Sequence, residues 1–417
     1  MKIKTLFCTI LFLCGCLLSS CLYSSASEGE EKTDAAESAP IYLFNTVKSM
    51  KRKVPETDGA TVMLEGYYES NDGGGGMFYW DAAETAPDNG GTVIAPSGRE
   101  EEAGRYVRVG ESHYVNVKWF GAAGDKERDD TAAIQAAIDS LPNDGGTVVV
   151  PGGVYKITSP LQIGNGTAEK ASEKNGIKLI GTGGTFGYMN TELTTFLASG
   201  TMETMLSVNG PISDVEIQGF KFWGSNTAKT LLYLSDIVGC EIENITGGGF
   251  IGTGIVYTAQ NAELGGSRDN CFKSLSIGSV NEGTTYLYIG GNFESGALVE
   301  DTIFTDSRFD PNMTKNVVSV DIRYAENLTF MRCHLCAYDR EHTTALRLDA
   351  SANGEYPRGN SFYDCNIENV KVIEDEAHKI GYNFFLGYGV YDLQDAFAPN
   401  EHLFGITESG GLIRYDG

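Results

Sequence analysis

Six segments of the chain repeat one frame, in which an apolar residue, a free place, a polar or small residue and two further free places lead to a mostly apolar sixth. They run from Ile217 to Phe222, Ile242 to Gly247, Phe272 to Ile277, Phe304 to Phe309, Phe330 to Leu335 and Phe362 to Ile367, and Gly247 makes the second the weakest. Their starts lie 25, 30, 32, 26 and 32 residues apart, too close for separate domains. Recurrence at this period marks a solenoid. The frame alternates with period 2, is rich in aromatic and β-branched residues and is punctuated by Gly, Asn, Asp and Ser, with no ten-residue helical stripe between copies. Helical repeats are thereby excluded. Further short strands, such as 285–289 and 317–322, fall between the copies, so each repeat is one winding of a parallel β-helix.

Windings stack at about 4.8 Å, which makes Cys333 and Cys365 vertical neighbours. A disulfide is geometrically open to them, although a reduced interior ladder suits the positions better. Five cysteines lie in the body (Cys240, Cys271, Cys333, Cys336, Cys365), an odd number without the spacing of a disulfide framework. Cys333 and Cys336 form a C-x-x-C, but residues three apart on a strand face opposite ways, so no metal or redox site is expected there.

The amino terminus is of another kind. Lys2 and Lys4 precede an apolar run from Leu6 to Leu18, shorter than the roughly 20 residues a membrane span needs. Leu18-Ser19-Ser20-Cys21 resembles a bacterial lipobox, which implies lipidation of Cys21 and a lipid-anchored protein of the outer membrane or cell surface. Residues 1–21 are therefore read as a lipoprotein signal and 22–40 as an acidic, disordered tether carrying Glu28, Glu30, Glu31, Asp34 and Glu37. Residues 41–113 read as a small antiparallel β domain. In it, Gly73 to Gly76 are expected to form a mobile loop, because no Lys-Ser/Thr follows to make a phosphate cradle.

From residue 114 to 417 the chain is assigned to the β-helix. An open first coil needs a cover, since unpaired strand edges recruit other chains. Ile134, Ala137, Ile138 and Leu141 recur at helical spacing behind Asp129-Asp130-Thr131, which predicts an N-terminal capping helix. The runs Val117-Lys-Trp-Phe-Gly-Ala-Ala-Gly124-Asp125, Asp129 to Ile138 and Gly145 to Tyr155 resemble the opening of the pectate-lyase-like superfamily, of the rhamnogalacturonase/epimerase type shared with phage tailspikes. That resemblance implies an all-β, right-handed parallel β-helix and glycan chemistry, and it assigns Asp125, Asp129 and Asp130 to structural capping. It also brings in trimeric assembly, common in tailspikes, as an open possibility.

A formal charge of −25, from 31 basic and 56 acidic residues, makes nucleic acid an improbable partner. Acidic polysaccharide remains compatible wherever a local Arg/Lys cluster or a bridging cation reverses the sign. Hydrolysis needs two carboxyl groups, and Asp310 and Asp339, 29 residues apart, are placed about one coil from each other. Asp310, Asp339, Arg340, Glu341 and His342 are the candidate catalytic residues, with Arg308, Arg323 and Tyr338 as substrate contacts. The polygalacturonase branch likewise has carboxylates on successive coils, but its Gly-His-Gly and Arg-Ile-Lys elements are absent here. A lyase would draw its base from the Arg, Tyr or His residues of this set, with Ca²⁺ as the one cofactor it would admit. The expected function is cleavage of a polysaccharide by hydrolysis or β-elimination; noncatalytic glycan binding on the same scaffold is the alternative.

Overall fold

A computed structural model describes residues 40–110, 112–166, 174–183, 193–310, 314–337, 341–351, 357–386, 403–406 and 412–414. The signal, Cys21 and the tether up to residue 39 lie outside the described residues.

The third place of the repeat frame is where the chain turns. Gly219, Asn244, Ser274, Asp306, Arg332 and Asp364 all have φ between +49° and +81°. A second column, three residues before each frame, repeats the device: Asp214, Gly239, Asp269, Asp301, Asn327 and Gly359 have φ between +48° and +68°. The left-handed region disfavours most L-residues and tolerates Gly, Asn and Asp best, which explains the polar or small character of the place. Arg332 is the costly occupant. Its guanidinium is held by Asp306 of the preceding coil at 2.7 and 2.8 Å.

Between these corners the coils pair in register. Ile217, Ile242, Phe272, Phe304, Phe330, Phe362 and Phe385 are successive partners in parallel ladders. From Phe272 onward the rings stack at 4.6, 4.6, 5.0 and 4.7 Å between centroids, with planes within 13° of parallel. All five rings are buried, and this column forms the spine of the core. Cys333 and Cys365 are vertical neighbours as expected, with the Cys333 amide donating to Cys365 Sγ at 3.4 Å, and the body cysteines are free thiols.

Among the described residues the windings build a sheet of eighteen strands, folded around the corner columns, and a second sheet of eight. The result is a right-handed parallel β-helix. Thr131–Ser140 is the covering helix; it buries Ile134, Ala137 and Ile138 against the first coil. Its acids divide the capping work. Asp129 accepts from the Thr131 amide at 3.1 Å, whereas Asp130, the residue at the cap, turns away and accepts from the amides of Ala123 and Gly124 at 2.6 and 3.0 Å. Asp130 thus pins the Gly-rich approach to the coil rather than the helix end.

The leading sheet is mixed rather than antiparallel throughout. Ile41–Phe44 pairs parallel with Thr61–Leu64, and only the pairings onward through Gly76–Asp81, Arg105–Arg108 and Val93–Ile94 are antiparallel. The short helix Val47–Met50 lies between the two parallel strands and supplies the crossover that parallel pairing requires. The glycine loop is braced, contrary to the expectation of mobility. Arg108, half-buried between the rings of Phe78 and Trp119 at 4.4 and 4.5 Å, donates to the carbonyls of Gly75 and Gly74 at 2.8 and 3.1 Å. A Cβ on Gly74 would sit 2.5 Å from Tyr67 Cβ, so glycine is required there by close approach.

Candidate functional site

Two polar clusters stand on outward columns of the late coils. The first lies where the long sheet turns toward the eight-stranded one. Arg308, His334 and Asn366 are register partners, and two residues further on, on the same side of each strand, come Asp310, Cys336 and Glu368. Arg308 Nε donates to Asp310 at 3.0 Å. His334 Nε2 meets Asn366 Nδ2 at 2.6 Å, and the Ala337 amide donates to Glu368 Oε2 at 2.6 Å. Donor atoms of His334, Cys336 and Glu368 all lie within 4.8 Å of one another. Burial, reinforced by the Arg308 cation, lowers the basicity of His334, while burial and then the carboxylates of Asp310 and Glu368 push the Cys336 thiol up to about 12.

The second cluster stands on the eight-stranded sheet. Tyr288, Asp321, Arg347 and Lys371 are successive register partners. Arg323 and Asp349 follow two residues after Asp321 and Arg347. Asp321, with 2% of its side chain exposed, accepts from Arg347 Nε at 2.9 Å and from Arg323 Nε and Nη2, both at 3.3 Å. Arg323 Nε also approaches Asp349 Oδ2 at 3.9 Å, which holds the two carboxylates within about 7 Å, the scale of glycosidase pairs. Arg323 lies 5.6 Å from the Tyr288 ring, and burial, opposed by that guanidinium, raises the Tyr288 pKa. The phenol is seated in a notch: a Cβ on Gly290 would stand 2.7 Å from Tyr288 Oη. Earlier windings of the same sheet carry Tyr233, Thr258 and, just beyond it, Gln260. Phe293, 51% exposed and edge-on to Tyr324 at 5.4 Å, lies just past the Tyr288 strand.

The structure joins only part of the set expected from the sequence. Arg308 and Asp310 form one ion pair in the first cluster; Arg323 belongs to the second, on a different side of the coil. Glu341 and His342 are exposed in the turn after the first cluster, where the His342 carbonyl accepts from the Asn316 amide at 2.7 Å. Tyr338, Asp339 and Arg340 lie outside the described residues. His334, Cys336 and Glu368 were missed, as were Tyr288, Asp321, Arg347 and Asp349; their signal was the ladder itself, extended one place beyond the repeat frame and onto the second strand of each coil.

Comparison with known proteins agrees with the architecture. Residues 43–111 match the phage tail protein small four-stranded β-sheet domain, and residues 114–204 match the rhamnogalacturonase A/epimerase, pectate lyase-like family. Mannuronan C5-epimerase AlgE3 of Azotobacter vinelandii is 44% identical over 69 residues, 16% of this chain and 4% of that protein. Alginate lyase 7 of the same organism is 42% identical over 69 residues, 16% of this chain and 8% of that protein. The chain thus spans under a tenth of the length of either relative. Among solved structures, the tailspike gp49 of Acinetobacter baumannii bacteriophage Fri1, a capsular polysaccharide depolymerase, superposes with a TM-score of 0.61 at 13% identity, over 88% of this chain and 69% of that one.

Proposed function

We propose, for a chain whose coiled body belongs to the pectate-lyase-like superfamily, that the eight-stranded flank binds an acidic polysaccharide and cleaves it by β-elimination, on a protein anchored to the bacterial envelope through Cys21. The observation that carries this reading is the cluster of Arg323, Arg347 and Lys371 around Tyr288 and Asp349 on a strongly acidic protein. Such a concentration of cations is where a polyanion can dock against the repulsion of the whole. The segment shared with mannuronan epimerases and an alginate lyase, and the likeness of fold to a capsular polysaccharide depolymerase, support the substrate class.

Asp321 is the more enclosed of the two acids, with 2% of its side chain exposed against 9% for Asp349, and its part is to hold the two guanidinium groups. Those groups neutralise a uronate carboxylate and thereby acidify the adjacent C–H. Asp349 takes that proton, the electron pair forms the new C=C bond, and the glycosidic C–O bond breaks as the Tyr288 hydroxyl protonates the leaving oxygen. Desolvation raises the Tyr288 pKa and so keeps the phenol protonated for that role. The enclosure of Asp321 favours elimination over hydrolysis, which would need both carboxyl groups free to act.

The test is incubation of the full chain with acidic and neutral polysaccharides, following reducing ends and the absorbance of unsaturated products. Elimination raises both with an acidic substrate. Reducing ends alone would replace it with hydrolysis, and retained binding without either would leave a glycan-binding surface protein.

A further inference from the structure

We propose that His334, Cys336 and Glu368 form a binding site for a borderline first-row divalent cation of the zinc class. His334 and Cys336 are two apart on one strand and share a face, and Glu368 is the register successor of Cys336 one coil on. Their backbones are fixed by the ladder: the His334 amide donates to the Ser307 carbonyl at 2.8 Å, Cys336 to Phe309 at 3.1 Å and Glu368 to Leu335 at 3.2 Å. The Cys336 carbonyl is tied to Ser319 Oγ at 2.7 Å.

Asn366 Nδ2 donates to His334 Nε2, so Nε2 is the unprotonated nitrogen, and a metal takes that lone pair by displacing the Asn366 amide. Glu368 is oriented by the bond from the Ala337 amide to Oε2, and its Oε1 lies 4.0 Å from His334 Nε2. A polar partner of this kind, behind the Glu368 ligand, is what helps to hold a coordination shell in place. A tetrahedral ion with bonds of about 2.0–2.3 Å sets its donors about 3.5 Å apart. The spacing within 4.8 Å therefore closes by roughly 1 Å, a distance that the partly exposed His334 and Glu368 side chains cover by small rotations. On binding, the thiol proton of Cys336 passes to solvent as the S–metal bond forms. One nitrogen, one sulfur and one oxygen select zinc, cobalt or a similar ion over Ca²⁺, which takes six to eight oxygens. Three protein ligands leave a fourth position open. Asp310 stands one coil before Cys336 on the same column, with its carboxylate paired to Arg308.

The site is separate from the proposed glycan flank, so the two readings fail independently. Chelator-treated full chain is titrated with Co²⁺ and then Zn²⁺. One equivalent of Co²⁺ is expected to give a thiolate-to-metal charge-transfer band, which Zn²⁺ abolishes. Cys336→Ser removes the band, Cys240→Ser leaves it, and Glu368→Gln weakens binding at least tenfold while circular dichroism stays unchanged. Absence of the band in the wild type, its persistence in Cys336→Ser, or wild-type affinity in Glu368→Gln would overturn the site. The Glu368 variant guards against misreading a folding defect, since that side chain is only partly buried.

Discussion

The two outward clusters are made by the same device and come out chemically opposite. On the eight-stranded flank the column runs Tyr288, Asp321, Arg347, Lys371, and the carboxylates of Asp321 and Asp349 each meet a guanidinium one winding away. At the corner, Arg308 spends its charge on Asp310, and the next two windings bring the donor atoms of His334, Cys336 and Glu368 within 4.8 Å of one another. A ladder whose carboxylates face guanidinium groups satisfies itself and leaves Lys371 as its surplus cation; a ladder whose later windings carry only neutral and acidic donors is open to a cation from outside. Which of these a column becomes depends on one choice per coil, since the backbone spacing is common to both.

Experiments that separate the two clusters can be ranked by size. The largest expected effect is on turnover: Tyr288→Phe or Asp349→Asn should lower it about 10²–10⁴-fold with binding retained, while Asp310→Asn leaves it unchanged, as read from unsaturated product. Undiminished turnover in the first two variants would move the chemistry away from the flank. Next is stability. Asp321→Ala leaves two guanidinium groups without their buried partner and should cost about 3–5 kcal/mol, whereas Asp310→Ala, an exposed ion pair within one strand, should cost about 1 kcal/mol or less. Equal urea midpoints for the two would erase the contrast. Gly290→Ala pushes the Tyr288 hydroxyl from its notch and should cost about 1–3 kcal/mol, with turnover falling more than binding. Smallest is the salt response: affinity of the flank for acidic glycan should fall several-fold between low and physiological ionic strength, over which the screening length shrinks from about 30 to 8 Å, while Co²⁺ binding at the corner barely moves.

Much of the winding could be read from the chain because its interior is repetitive. The first frame residues, from Ile217 to Phe362, are true register partners, and the variable polar place proved to be the left-handed corner. The functional columns were less visible. Counting thiols drew attention to Cys333 and Cys336, which do face apart, and away from His334 and Cys336, which share a face. Glu368 enters only when the 32-residue offset from Phe330 to Phe362 is carried one place past the end of the frame. On the flank, Arg323 was identified alone. Its partners sit on strands joined to the frame by turns of unequal length, so repeat spacing does not fix that Tyr288 meets Asp321 or that Asp321 meets Arg347.

Arg108 belongs to the last long strand of the leading sheet, yet one face of its guanidinium rests on Trp119, at the entrance to the coils. Burial there works against its charge, so the joint between sheet and coils is held by a desolvated cation, and the indole beside it would report the loss of that cation in Arg108→Met as a change in fluorescence.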